Sequence, residues 1–212
     1  MSTPAKPIWK KPALRLMAEA ERLIGEHGYD NVSLVQIARV AGQANKYAVQ
    51  YHFGDKESLV RAIFDDRLAR IGARRRALLD QLRASGKPGI HELLTAFIYP
   101  VYQEVDERGL HSYARFAERM LDTPLVADMW FASEHFATTD EVRRELAGLC
   151  GHLSGEEFTL RYSLVSALLT QTLTVIDRAA RQGGESPRQS PERILDTAIA
   201  MACEALALAS SP

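Results

Sequence analysis

The chain holds 212 residues, 46% hydrophobic and 25% charged, with 13 Gly and 9 Pro, a composition that excludes disorder and collagen-like order and leaves room for one or two domains. Its longest apolar stretch, Leu93 to Tyr102, is interrupted by Thr95 and Pro100 and falls far short of the roughly 20 residues that a membrane span needs. The formal net charge of −1 hides an asymmetry: residues 1–87 carry 16 Lys+Arg against 9 Asp+Glu, and the remainder 10 against 18, so one end suits a polyanion and the other does not.

Apolar residues recur at helical spacing almost throughout. Leu14, Met17, Leu23 and Ile24 predict a first amphipathic helix over 12–27 with Gly28 as its stop. Ser33 and Gln36 form a capping-box pattern for a short helix that Gly42 ends. A second short helix fits Asn45 to Tyr51, and Asp55 can cap a long one from Lys56 to about Ala84, buried along Leu59, Ile63, Leu68, Ile71, Leu78 and Leu82. Next, Ile90 to Arg108 reads as helical, with Pro100 expected to kink or split it. His111 to Leu121 follows. Thr123 before Pro124, Thr138 with Glu141, Ser154 with Glu157, and Ser190 before Pro191 then read as helix starts, and Gln182 to Gln189 as a flexible loop. Nothing has the period of two of a strand. The expectation is an all-α chain of about nine helices.

Near the N-terminus, two short helices joined by a turn at Gly42, an amphipathic helix before them and the positive charge outline a helix-turn-helix unit. In its reading helix Asn45, Lys46, Tyr47 and Gln50 would face outward, with Ala48 and Val49 mixing close approach and packing. Amides pair with adenine, Lys46 can donate to guanine, and Tyr47 reaches bases or phosphates. The wording of the segment is specific. Gly28-Tyr29, Val32-Ser33-Leu34, Ile37-Ala38, Ala41-Gly42, Tyr51-His52-Phe53 and Lys56-Glu57-Ser58-Leu59 resemble the DNA-binding segment of the TetR family of transcriptional regulators. The match runs from about Ala13 to Ile63. One residue more than the common family spacing separates Gly42 from Phe53, so a longer turn is expected around Gln43 and Ala44.

The resemblance implies an N-terminal three-helix DNA-binding domain, here 1–56, and a larger helical effector-binding and dimerisation domain, 57–212. It implies that Ser33 caps a helix and touches phosphate, that Tyr51 and His52 face phosphates, and that Lys56 meets a phosphate with the exposed amides of the long helix. Ser33 also caps with or without DNA, and His52 can be a packed histidine; Phe53 is assigned to the core. The arm from Lys6 to Lys11, with Trp9, either follows DNA or is a disordered tail. Arg74, Arg75 and Arg76 could extend the basic face, but read rather as a solvated face.

The resemblance further implies a ligand pocket in the middle helices and a dimer through the last two. Candidate pocket residues are Phe97, Tyr99, Tyr102, Tyr113, Phe116, Met120, Trp130, Phe131 and Phe136, which suit a mainly apolar effector with a few polar groups, although aromatics at helical spacing are also plain core. The helices 156–181 and 191–209 are apolar over more than one stripe, fitting a four-helix interface with a second copy, or a central place in a monomer. The six histidines lack metal spacing, Cys150 and Cys203 stand far apart, and no nucleophile elbow, phosphate loop or dinucleotide fingerprint occurs. Neither a cofactor nor a metal is expected. The reading is thus a cytoplasmic, homodimeric repressor released from a double-stranded DNA operator by a small molecule, and not an enzyme or membrane protein. A helical small-molecule enzyme or a protein-interaction module is the competing class.

Overall fold

A computed structural model of the chain describes residues 9–121, 123, 125, 136–181 and 190–209. They form nine helices and no strand. The first, α1 (Lys11–His27), carries a proline in its first turn and buries Leu16, Met17, Ala20, Leu23 and Ile24. The short α2 (Leu34–Val40) starts where Ser33 Oγ accepts the Gln36 amide at 3.1 Å. Its end is a Schellman arrangement. Gly42, at φ +68°, donates to Arg39 O, and Gln43 donates to Ala38 O, a turn whose left-handed residue a side chain would strain.

The next helix differs from expectation. It spans Ala48–Phe53 (α3), because Asn45 Oδ1 accepts the Tyr47 amide at 2.9 Å and diverts the backbone into an Asx turn instead of a helical start. Asn45, Lys46 and Tyr47 therefore lie in the turn, which is long, as the spacing from Gly42 to Phe53 foretold. Asp55 then caps α4 (Lys56–Ser85), accepting the Ser58 amide at 2.7 Å. Leu59, Ile63, Leu68 and Ile71 are buried as expected. Further along, the stripe rotates onto Leu79, leaving Leu78 and Leu82 half-buried.

Beyond α4 come α5 (Ile90–Tyr102), α6 (Ser112–Leu121), α7 (Ala137–Leu149), α8 (Gly155–Arg181) and α9 (Pro191–Ala207). Pro100 does not split α5. It removes the donor for Ala96 O, and Arg75 Nε supplies one instead at 3.1 Å. The helix stops at Tyr102 rather than Arg108, since Asp106 Oδ1 accepts the amides of Arg108 and Leu110 and Gly109 turns at φ +73°. Ser154 and Ser190 accept the amides of Glu157 and Arg193 as helix caps. Thr138, by contrast, is buried inside α7, which Phe136 precedes without a side-chain cap. Lys6, Pro124, Trp130, Phe131 and the loop Gln182–Gln189 lie outside the described residues.

Two apolar cores result. One gathers α1 to α3, the first half of α4, and Tyr113, Phe116 and Met120 of α6. Here α6 packs so closely on α1 that a Cβ on Gly25 would stand 3.1 Å from Phe116 N. The other joins Leu79 to Leu93, Leu94 and Ile98 of α5, Val142 and Leu146 of α7, Leu169 and Leu173 of α8, and Leu195 and Ile199 of α9. Among the described residues no helix is long and apolar enough to cross a membrane.

The arginine run is a solvated face only in part, since Arg74 and Arg76 keep 35% and 44% of their side chains exposed while Arg75 does not. Arg75 is 3% exposed, Arg74 reaches Glu104 and Pro100 O, and Arg76 pairs with Glu141 at 2.6 Å. α5 and α7 both pack on α4, so the helix has inward faces on more than one side.

Candidate nucleic-acid interface

The α2–α3 unit is anchored from below and open above. Ile37, Ala38, Ala48 and Val49 are buried, so Ala48 and Val49 are core and not contact residues. Outward stand Asn45, Lys46, Tyr47, Gln50 and Tyr51, with Tyr51 82% exposed. The Lys46 ammonium lies 4.9 Å from the Tyr47 ring centroid, a cation–π contact that holds two groups able to reach base edges or phosphates in the turn. Tyr51 and His52 meet edge to face at 5.0 Å, and His52 is half-buried. Ser33 is exposed and uses its oxygen as cap acceptor, keeping its hydroxyl proton for another partner.

Lys56 does not stand free for a phosphate. Its Nζ donates to Tyr29 O and lies 4.1 Å from the Tyr29 ring centroid, and burial pulls its pKa below the ordinary lysine value. It clamps the start of α4 to the α1–α2 connection. The neighbouring Asp55 carboxyl, held below its ordinary range mainly by the Ser58 amide, already occupies the helix N-terminus. A phosphate there would meet a carboxylate. Trp9 is half-buried and packs on Phe53 at 5.2 Å, which fixes exposed Lys10 and Lys11 beside the end of α3.

The pocket candidates are not brought together. Tyr113, Phe116 and Met120 sit in the first core, with Phe116 5.0 Å from Phe64. Tyr99 is exposed, and Tyr102 stacks on His111 at 5.3 Å while its phenol contacts Glu192. Phe97 faces Tyr162 at 6.1 Å in the second core. Phe136 is half-buried against the first.

On α8 and α9, inward Leu169, Leu173, Leu195 and Ile199 join the core. An outward apolar face remains: Leu160, Leu164, Val175, Met201 and Leu208, each 48–63% exposed. A groove lined by Leu168, Val175, Ile194, Thr197 and Met201 runs between the two helices.

Sequence reasoning missed two buried ionic clusters. Arg67 on α4 donates to Glu21 of α1 and to Glu104 after α5, each at 2.7 Å, and Arg70 and Arg74 also meet Glu104. Ser112 of α6 donates to Glu21 as well. Burial raises the Glu21 pKa, with Arg67 opposing the shift. In the second cluster, His111 Nδ1 lies 2.6 Å from Asp177 of α8, which Arg115 also meets at 3.0 Å, and His111 Nε2 is 3.0 Å from Tyr102 O. The signal for Glu21 was present. It sits at the register of Met17 and Ile24, where a lone carboxylate demands a partner. Among the described residues no group of His, Cys, Asp and Glu could hold a metal ion.

A profile described as "Bacterial regulatory proteins, tetR family" matches residues 16–63, and one described as "Tetracyclin repressor-like, C-terminal domain" matches 95–204. None of the curated proteins matches the chain. Among solved structures, a transcriptional regulator from Rhodococcus sp. Rha1 aligns with 24% identity over 96% of this chain and 100% of its own, at a TM-score of 0.51. The superantigen pfit aligns with 16% identity over 95% and 91%, at a TM-score of 0.49.

Proposed function

The chain belongs to the tetR family of bacterial regulatory proteins and is a DNA-binding transcriptional regulator, and we propose that it is a homodimeric repressor which a small, mainly apolar effector releases from its operator. Regulators of this family are generally non-enzymatic. The observation that carries the DNA contact is the polar surface over a packed base: Lys46, Tyr47, Gln50 and Tyr51 exposed above buried Ala48 and Val49. In this reading Lys46, Tyr47 and Gln50 read bases in the major groove. Ser33, Asn45, Tyr51 and His52 position the duplex through its phosphates. Lys56 acts by holding α4 against Tyr29.

The outward apolar face of α8 and α9 supports dimerisation, because that much exposed leucine, valine and methionine on two adjacent helices favours burial against a second copy. Dimerisation would set two reading helices about one DNA turn, roughly 34 Å, apart. The effector site is proposed in the second core near Phe97. The test is selection of duplexes from a random pool, followed by mobility-shift titration. Recovery of a two-fold symmetric site is expected. Replacing Gln50 or Lys46 should then change the preferred sequence by about 1–3 kcal/mol per lost base contact. Failure to enrich any sequence would overturn the reading.

A further inference from the structure

Arg75 is the one buried arginine among the described residues that meets no carboxylate. It is 3% exposed, and its bonds go to Phe97 O at 2.7 Å, Ala96 O at 3.1 Å and Thr139 Oγ1 at 2.6 Å. Elsewhere Arg67 has Glu21 and Glu104, Arg115 has Asp177, and Arg161 has Glu157. Two carbonyls and the hydroxyls of Thr139 and, at 3.5 Å, Thr138 satisfy individual N–H groups, but among the described residues they leave the positive charge unmatched. Desolvation accordingly pulls the Arg75 pKa down to about 10, whereas that of Arg67 is raised by its carboxylates against its own desolvation. Of the five guanidinium N–H groups, at least one on Nη2 has no acceptor among the described residues.

The surroundings suit an apolar body. The Phe97 ring lies 5.6 Å from the guanidinium carbon, Tyr162 lies 6.1 Å beyond it, and Phe158 stacks on Tyr162 at 5.9 Å. Phe97, Tyr162 and Ser166 are each only half-buried. One turn along α8 from Tyr162, the buried Ser166 Oγ has no hydrogen-bond partner in good geometry.

We infer that the effector is an apolar carboxylic acid whose carboxylate pairs with Arg75, while Phe97, Tyr162 and Phe158 hold its hydrocarbon or aromatic body. The inference rests on the effector reading above and names the chemical class of the ligand. It also supplies a route to the DNA. An incoming carboxylate competes with Ala96 O and Phe97 O for the guanidinium and so alters the attachment of α4 to α5.

The experiment is calorimetric titration of the full-length protein with octanoate, myristate, phenylacetate and naphthoate, each beside its own methyl ester, with operator release followed in parallel. At least one acid is expected to bind about ten-fold or more tightly than its ester, the size of one charge-assisted hydrogen bond. The chain length or ring preferred separates aliphatic from aromatic acids. In Arg75→Gln the preference should fall below about three-fold with helical circular dichroism unchanged. Because Arg75 also holds α5, Arg75→Lys serves if the glutamine variant does not fold; it should keep a reduced preference for the acid. Esters binding as tightly as acids, or a preference intact in folded Arg75→Gln, would overturn the inference. Release of operator by neutral compounds alone refutes only the acid assignment, whereas no binding by either class refutes the effector reading with it.

Discussion

Glu104→Gln probes the cluster that joins the DNA-binding end to the rest of the molecule. The Glu104 side chain is 2% exposed and meets Arg67 at 2.7 Å, Arg70 at 3.3 Å, and Arg74. Two of those arginines are well exposed, at 44% and 35%, while Arg67 is at 14%, so the exposed pairs contribute at most about 1 kcal/mol each. The Arg67 pair carries the larger share, on the order of 4 kcal/mol of gross attraction at an effective dielectric near 20. Removing the charge recovers part of its desolvation cost. It also turns an amide NH2 toward guanidinium donors and leaves Arg67 half-compensated. The balance is a loss of about 3–5 kcal/mol, or roughly 6–20 °C in Tm for a chain of this size. Differential scanning calorimetry at fixed protein concentration measures it. A loss below about 2 °C would refute the reasoning and place the cluster with ordinary surface pairs.

Glu21→Gln has a defined pH signature. Since burial raises the folded-state pKa of Glu21 above the ordinary 4.5, ionisation costs stability, a cost absent below pH 4.5 and complete above the folded-state value; urea midpoints should therefore shift in favour of the glutamine variant as pH rises from 4.5, and a constant offset would contradict this. Leu164→Glu should give a folded monomer by light scattering, since Leu164 is 63% exposed, whereas Leu169→Glu puts an unpaired charge in the core, costs several kcal/mol and should unfold the chain. A Leu164→Glu variant that stays dimeric would remove α8 from the interface. Gly25→Ala should destabilise, because crowding against the Phe116 backbone costs about 1–3 kcal/mol and exceeds the roughly 1 kcal/mol helix gain; Gly148→Ala, with nothing within 4 Å, should stabilise by up to that gain, and the same sign at both sites would refute the packing argument.

Helix identity was legible because its signals are local. Ser33, Asp55, Ser154 and Ser190 each cap the helix they precede, and Gly28, Gly42 and Gly54 take positive φ at helix ends. The start of α3 was not, since Asn45 satisfies helix-start and turn chemistry equally well and only its bond to Tyr47 distinguishes them. The arginine run misled for a different reason. Three consecutive charges look solvated, yet Arg75 lies four residues from both Ile71 and Leu79, which are buried. A charge at core register is the informative member of such a run. The candidate effector contacts were least legible, because Phe116 and Met120 have the spacing of any core residue and lie in the core beside Phe64.

The polar attachments of α4 explain why a single helix can serve both ends. Lys56 ties it to Tyr29, Arg67 to α1 through Glu21, Arg75 to α5, and Arg83 to Glu141 and Glu145 of α7. Each bond is directional and each partner lies on a different element, so the helix cannot slide freely but can tilt about the attachments that stay closed. At about 1.5 Å per residue, Lys56 lies roughly 28 Å from Arg75, and a tilt of about 5° at Arg75 moves it by roughly 2.5 Å. On the proposed reading, doubling that displacement in a symmetric dimer is enough to mismatch two reading helices against fixed half-sites. An effector has only to prefer one tilt by about 1–3 kcal/mol to alter operator affinity 5- to 150-fold. Arg75 is the one arginine among these attachments whose partners among the described residues are all neutral, and hence the arginine an anion can compete for most directly.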